Sequence, residues 1–287
     1  MTENLGFLHP GEMGVSIAAS AQNSGHNVFW ASEGRSPETC QRARAHAVVD
    51  VYSLKALCQS CSIIVSVCPP HAAEEVARQV LACSFQGVYV DANAISPQRA
   101  VRIGKMMQEH GIAFVDGGII GGPAWKTGTT WLYLSGNEAQ RIGSCFSVGP
   151  LQTENLGEII GRSSAVKMCY AAYSKGTTAL LCAILGTAES LSVRAELERQ
   201  WSRDEAGFAE QVTQRVRRVT AKAWRFTGEM DEIAATMQAV GMPVGFHEAS
   251  ADIYRRLADF KGQPMFPELS EVLAALLGGA GAYPEQT

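Results

Sequence analysis

Charge is scarce in this chain. Only 18% of its 287 residues are charged, below the roughly 25% usual for soluble domains. The 24 basic and 28 acidic side chains leave a net charge of -4. Without a basic stripe to neutralise phosphates, nucleic acid is not an expected partner. Long apolar runs are absent as well, and nothing approaches the ~20 residues of a membrane span, so no membrane role is expected. The start, Met1-Thr2-Glu3-Asn4, lacks the basic and apolar segments of a secretion signal. Metal-ligand spacing is missing too. Cys58 and Cys61 form a lone C-x-x-C with no second pair or histidines nearby. That motif closes a helix, whereas a thioredoxin-type site would open one. The eight cysteines therefore read as reduced structural thiols, with no metal site, in a protein of the reducing cytoplasm. With 46% apolar residues, general disorder is excluded.

What is present is alternation. Leu5–Leu8, Asn27–Ala31, Val48–Val49, Ile63–Val67, Gly87–Asp91 and Ala113–Asp116 read as strands. Met13–Ser24, Pro37–Ala45, His71–Ala82 and Pro97–His110 read as helices between them. Strands alternating with helices of this length imply βαβ units and a parallel sheet. Thr130–Ser135 and Ser147–Val148 are expected to close this half. From Arg162 to about Arg194 no proline interrupts a helical spacing of apolar residues, so one long helix is expected. Asp204–Phe226, Met230–Val240, Phe246–Phe260 and Leu269–Leu277 follow as helices, and the tail from Gly278 to Thr287 reads as loose. The length, near twice a ~150-residue domain, divides into 1–156 and 157–287. Charge is sparser in the first part, as a parallel sheet buried on both faces requires.

The opening turn carries the clearest chemistry: Gly6-Phe7-Leu8-His9-Pro10-Gly11-Glu12-Met13-Gly14, with a strand before and a helix after. A dinucleotide pyrophosphate sits on a helix N-terminus, where free N–H groups and the helix dipole favour anions. Glycines are needed where backbone approaches the phosphate and where helix packs on strand. Gly11 and Gly14 take the second and third positions of G-x-G-x-x-G, while His9 stands in the first.

This opening resembles that of the phosphogluconate-dehydrogenase and β-hydroxyacid-dehydrogenase superfamily, G-x-x-G-x-G-x-M-G, which Gly6, Gly11, Met13 and Gly14 match. The HPGEMG form resembles a subgroup with its own C-terminal helical domain. Val65-Ser66-Val67-Cys68-Pro69-Pro70 resembles the loop near the adenosine, and Asp91-Ala92-Asn93-Ala94-Ile95-Ser96-Pro97 the loop near the nicotinamide ribose. Asp116-Gly117-Gly118-Ile119-Ile120-Gly121-Gly122 resembles the substrate loop D-x-x-x-S-G-G, and Gly157-x3-Gly161-x5-Lys167 leads to the superfamily's catalytic lysine. The resemblance implies an α/β unit followed by an all-α one. These are an N-terminal Rossmann-like doubly wound sheet (1–156), a long interdomain helix, and a C-terminal helical domain (157–287) for substrate cleft and dimerisation.

It also implies an NAD(P)-dependent dehydrogenase or reductase acting on a small-molecule substrate as a homodimer. The cofactor residues would be His9, Pro10, Gly11, Glu12, Met13, Ser32, Arg35, Ser36, Val67, Cys68 and Asn93. Ser32-Glu33-Gly34-Arg35-Ser36 holds two options: Glu33 would accept the ribose hydroxyls of NAD(H), while Arg35 and Ser36 would hold a 2'-phosphate. NADP(H) is favoured, because Arg35 offers a charge-assisted bond. Lys167 is the expected acid/base, and Tyr170 lies on its helical face with Ser163 and Ser174. Packing of that face would lower the lysine pKa by desolvation. Ile120, Gly121, Gly122, Trp125 and Tyr173 are the expected substrate contacts.

Ile120 replaces the loop serine, and Tyr170-Ala171 occupies the stretch where the superfamily has an asparagine. A buried carboxylate would lack donors there, which points to a bulkier or more apolar substrate. An imine reductase and a non-catalytic NADPH-binding regulator are the alternatives. Arg225, Glu229 and His247 are open as cleft residues, because an exposed helix end or an ordinary hydrogen-bonded histidine explains them equally well.

Overall fold

The computed structural model describes residues 2–278, so all but Gly278 of the tail expected to be loose lies outside the described residues. The chain forms two compact units, Met1–Tyr170 and Ala171–Thr287.

The first unit runs β1 (Asn4–Phe7), α1 (Glu12–Asn23), β2 (Asn27–Trp30), α2 (Pro37–Ala45), β3 (Val49–Asp50), α3 (Leu54–Ser60), β4 (Ile63–Ser66), α4 (Ala73–Ala82), β5 (Val88–Asp91), α5 (Pro97–Gln108), β6 (Ala113–Gly121), β7 (Thr130–Ser135), α6 (Ala139–Ser144), β8 (Gln152–Asn155) and α7 (Arg162–Ala171). The sheet order is β3-β2-β1-β4-β5-β6-β7-β8. The first six strands are parallel, β7 is antiparallel to β6, and β8 runs parallel to β7. Order 3-2-1-4-5-6 is the doubly wound arrangement that leaves a ligand crevice outside the carboxyl ends of β1 and β4.

The period-2 alternation of strands builds a core on each face. Ile63 and Val65 of β4 join Leu5, Phe7, Val15, Ile17, Val88 and Val90 on one face. Ile64 joins Leu57, Tyr89, Ile95, Ile103 and Phe114 on the other. Helices start where side chains can satisfy their free N–H groups: Ser36 Oγ accepts from Thr39 N at 3.3 Å and Ser53 Oγ from Ala56 N at 3.2 Å. Cys58 and Cys61 are buried in the second core, and burial pushes both thiols up to about 12, Cys58 with help from Cys83. All eight cysteines are free.

The structure departs from the sequence reading in several places. β6 does not end at Asp116 but continues through Gly121, so most of the presumed substrate loop is strand. The closing strand is not Ser147–Val148 but Gln152–Asn155, a polar edge strand with no β-branched run to announce it. The units divide after Tyr170 rather than after Leu156, because the first turns of α7 are bound to the sheet by Asp116 and Ser135. Finally, the long helix is not uniform.

After α7 comes one π-helical turn, Ala172–Gly176, then α8 (Thr177–Ser190). The run ends there, with Ser192 left-handed at φ 57°. In the second unit α9 (Arg194–Asp204) is followed by the 32-residue α10 (Phe208–Ala239), which fuses the two helices expected on either side of Gly228. A glycine inside a helix costs only about 1 kcal/mol, and Val212, Val216, Ala223, Met230 and Ile233 keep one buried stripe across it. α11 (Gly245–Arg256), a short 3-10 turn (Ala258–Phe260) and α12 (Leu269–Gly278) complete the described residues. Among them, no helix is long and apolar enough to cross a membrane.

In the second unit, the π-turn is locked by tertiary contacts. Arg215 donates to Ser174 O and to Thr178 Oγ1, each at 2.7 Å, and Tyr254 donates to Lys175 O at 2.6 Å. Lys175 pairs with Glu229 and sits 4.7 Å from the Phe226 ring centroid. A π-bulge frees backbone carbonyls that something else must satisfy; Arg215 and Tyr254 do so.

Candidate cofactor and active site

The turn from β1 to α1 is shaped by two glycines with opposite surroundings. A Cβ on Gly14 would lie 2.3 Å from the His9 carbonyl oxygen, so only glycine lets the helix pass the turn this closely. A Cβ on Gly11 would meet nothing within 4 Å. Gly11 is also the N-cap of α1, whose first N–H groups receive no side-chain cap. Open space in front of uncapped helix donors is what a pyrophosphate requires.

Two side-chain nitrogens around this space are unsatisfied among the described residues. His9 Nδ1 and Arg35 Nε are buried and find no hydrogen-bond partner among the described residues. Burial, with the nearby Arg35 charge adding to it, pushes the His9 imidazole down to about 4, so the ring is neutral at pH 7. Burial also lowers Arg35, and the Cys68 thiol lies within reach of the same guanidinium. Arg42 of α2 donates to Pro10 O at 3.5 Å. Ser36 caps α2, Ser32 N donates to Asp50 Oδ1 at 3.2 Å, and Glu33 is exposed. Glu12 is exposed, Met13 is half-buried and packs on the core, and Pro10 is buried. This donor set, facing space without an acceptor, fits a phosphorylated dinucleotide.

Asn93 is engaged by its own neighbours. It is buried, its Oδ1 accepts from Cys68 N at 2.5 Å, and its Nδ2 donates to Ser66 Oγ at 3.1 Å. Its side chain therefore ties the Val67-Cys68 loop after β4 to the end of β5. Below it, Asp91 Oδ1 accepts from Asn93 N at 3.0 Å, while Asp91 Oδ2 is buried and finds no partner among the described residues. Burial foremost, with the Asp116 carboxylate adding to it, pushes the Asp91 carboxyl up to about 7 against the pull of the Asn93 hydrogen bonds.

Lys167 is held at the same edge by groups that sequence reasoning missed. Asp116 Oδ2 accepts from Gly161 N and Ser164 N, each at 3.0 Å, and Oδ1 accepts from Ser164 Oγ at 2.6 Å. Ser135 Oγ donates to Asp116 at 3.2 Å and accepts from Ser163 N at 3.2 Å. A carboxylate and a hydroxyl from the sheet thus cap the start of α7, which sets a carboxylate against the positive helix end. Burial raises the Asp116 carboxyl, and these hydrogen bonds oppose the rise. Gly118 permits the approach, since a Cβ there would lie 2.6 Å from Ser163 O and 3.1 Å from Lys167 Cβ. On the other side of the strand, a Cβ on Gly117 would lie 3.0 Å from Asp91 O. The half-buried Lys167 Nζ donates to Ile119 O at 2.6 Å.

The remaining expected residues divide. Ile120 is buried in β6, and Gly121, at φ +122°, leaves no room for a Cβ beside Thr129 O, 2.2 Å away. Gly122 is exposed and open, and its carbonyl accepts from Thr130 Oγ1 at 2.7 Å. Trp125 is exposed and stacks on His46, just after α2, with centroids 4.7 Å apart; Ala124 N bonds Ser16 Oγ of α1 at 2.8 Å. Tyr170 is exposed at the end of α7. In the second unit Tyr173 is exposed, Glu229 is buried and paired with Lys175, and His247 is buried with Nδ1 unpartnered. Among the described residues, no group of three or more His, Cys, Asp or Glu could hold a metal.

Comparison with known proteins gives two matches along the chain. Residues 4–145 match the NAD binding domain of 6-phosphogluconate dehydrogenase, and residues 188–257 match a domain of unknown function, DUF1932. The conserved protein MTH1747, of unknown function and described as similar to 3-hydroxyacid dehydrogenases, is 28% identical with a TM-score of 0.67, over 90% of this chain and 97% of that one. A 3-hydroxyisobutyrate dehydrogenase of Mycobacterium tuberculosis is 19% identical with a TM-score of 0.70, over 96% and 99%. A reductive aminase of Aspergillus terreus, solved with NADPH and ethyl levulinate, is 15% identical with a TM-score of 0.55, over 95% and 99%. The last two likenesses are of fold.

Proposed function

The chain belongs, through residues 4–145, to the family of NAD-binding domains of 6-phosphogluconate dehydrogenase, and from that premise we propose that it uses NADP(H) to move hydride to or from the carbonyl or alcohol centre of a bulky or apolar substrate, with Lys167 as acid/base. In type it is an NAD(P)-dependent oxidoreductase of the hydroxyacid dehydrogenase and imine reductase group. One observation supports the lysine above all: Asp116 and Ser135 fix the start of α7, and Ile119 O holds Nζ at the edge where Asn93 orders the β4 and β5 loops.

The nicotinamide supplies the hydride acceptor or donor. The chain's residues do the rest. Gly11, Glu12 and Met13 present the first N–H groups of α1 to the pyrophosphate across His9 and Pro10. Arg35, with Ser32 and Ser36 beside it, receives the ribose phosphate, while Val67 and Cys68, kept in place by Asn93, border the adenosine. Lys167 takes a proton from an alcohol at Nζ, or gives one to a forming alkoxide, beside Tyr170. Within the first unit, Ile120, Gly121, Gly122 and Trp125 border the substrate, Trp125 stacked on His46. Neither Ile120 nor Ala171 can donate to a carboxylate, which supports a neutral substrate.

The direct test is fluorescence titration with NADPH and NADH, then turnover of a carbonyl, imine and alcohol panel by wild type and Lys167→Met. Loss of a positioned acid/base lowers kcat/KM by about 10²–10⁴-fold, with the NADPH Kd unchanged. Turnover by Lys167→Met within threefold of wild type would remove the lysine from the mechanism. The same apolar positions favour a second reading, an imine reductase, which predicts faster turnover of a cyclic imine than of any hydroxy acid. NADPH binding with no turnover of the panel would identify a regulator instead. The chain works as a homodimer in the cytoplasm. Exposed Val240, Met242, Met265 and Phe266 in the helical unit and eight free cysteines support this, and light scattering of the purified protein tests the dimer.

A further inference from the structure

His9 stands where the fingerprint has its first glycine, and nothing about the turn demands a histidine. The turn is held by backbone: Gly11 N donates to His9 O at 2.8 Å, and Gly14 packs under the same carbonyl. The imidazole is therefore free of any structural duty in the turn, yet Nδ1 is buried with no partner among the described residues. An unpaired buried polar atom costs about 1–3 kcal/mol, a cost that calls for a ligand or a role. A charge that bears on the ring is Arg35, whose own Nε is buried and finds no partner among the described residues. Two orphaned nitrogens thus come from the two loops, β1–α1 and β2–α2, that flank the ribose of a bound dinucleotide in this fold.

We propose that His9 is a specificity-determining residue for the phosphorylated cofactor, its imidazole completing with Arg35 a cradle for the 2'-phosphate. This inference rests on the NADP(H) reading above. Two nitrogens from separate loops would fix the phosphate from two directions, which a single flexible arginine does not. A nonphosphorylated ribose offers them only neutral hydroxyls, so neither gains a charged partner when NADH binds.

Proton traffic follows from the same geometry. Empty, the ring is buried beside a guanidinium and is neutral at pH 7. A phosphate dianion between the two groups cancels the Arg35 charge and rewards protonation of His9, so NADPH binding takes up a proton. The other groups around the turn do not supply it. Arg42 donates to Pro10 O, Cys68 stays a thiol because burial pushes it up to about 12, and Glu12 is exposed to solvent. A phosphomonoester has its own second ionisation near pH ~6, so the measurement belongs at pH 7.5.

The test is isothermal titration of the full chain with NADPH and with NADH, in buffers of different ionisation enthalpy, for wild type, His9→Gly, His9→Gln and Arg35→Ala. His9→Gly restores the fingerprint glycine and is expected to weaken NADPH at least tenfold, leave NADH within twofold, and abolish proton uptake. His9→Gln keeps a neutral donor and is expected to retain part of the NADPH selectivity without uptake. If His9→Gly leaves the NADPH-to-NADH ratio unchanged, or strengthens NADPH, His9 does not read the phosphate. The wider reading fails separately: if wild type binds NADH as tightly as NADPH and Arg35→Ala changes neither, the enzyme does not prefer NADP(H).

Discussion

Asp91 offers a pH-linked test of how this edge of the sheet is built. Its carboxyl is fully buried, one oxygen accepts from Asn93 N and the other finds no partner among the described residues. Burial and Asp116 raise it from the ordinary 3.8 to about 7. A folded-state pKa above the unfolded one means that the folded protein holds the proton more tightly. The associated stability is fully present below pH ~4 and is lost as pH rises through ~7. The whole shift, near three pH units, corresponds to about 4 kcal/mol, and the part lost between pH 5 and pH 8 is about 2.5 kcal/mol.

Asp91→Asn removes the titration while keeping an oxygen for Asn93 N. Urea unfolding of both proteins, followed by intrinsic fluorescence at pH 5, 6.5 and 8, should give the variant a relative gain that grows with pH toward about 2.5 kcal/mol. Asp116, raised in the same direction, is present in both proteins and so cancels in the difference to first order. A wild type-to-variant difference that is flat in pH, or that favours wild type as pH rises, would refute the account of Asp91 as a carboxyl held protonated.

The remaining predictions follow from single contacts. Gly14→Ala places a Cβ against the His9 carbonyl and should cost about 3 kcal/mol or more in unfolding free energy. Gly11→Ala points into open space and should leave stability within about 0.5–1 kcal/mol while weakening NADPH severalfold by titration. Asp116→Ala strands the N–H groups of Gly161 and Ser164. At about 1–3 kcal/mol each, a loss of about 2–6 kcal/mol is expected by urea unfolding, and kcat should fall as α7 loosens. Glu229→Ala leaves Lys175 without its carboxylate in the helical unit and should destabilise that unit by about 3–5 kcal/mol, read as a lowered thermal midpoint by circular dichroism.

The sheet was legible because its strands are apolar on both faces and bounded by helices with Ser and Pro at their starts; Pro37–Ala45 is a helix over the residues the sequence marks out. The β1–α1 turn was legible from Gly11 and Gly14 set between a strand and a helix. β8 was hidden because an edge strand of Gln, Thr, Glu and Asn needs only backbone pairing with β7. The π-turn was hidden because Arg215 and Tyr254, which satisfy its carbonyls, lie far along the chain. The role of Asp116 was hidden for a related reason: its partners Ser135, Gly161 and Ser164 become neighbours only when β6, β7 and α7 assemble.

That role sets what the Asp-Gly-Gly run means. Asp116, Gly117 and Gly118 form a seat: the carboxylate caps α7, Gly118 lets the helix descend, and Gly117 makes room for the end of β5. Lys167 then rests on a backbone carbonyl, that of Ile119, which every residue type at position 119 would provide. The position of the ammonium is thereby independent of the side chains that follow along the strand. Ile120 can replace a serine without moving Nζ. Under the proposed function, the border of the site would then change its polarity while Lys167 stays in place.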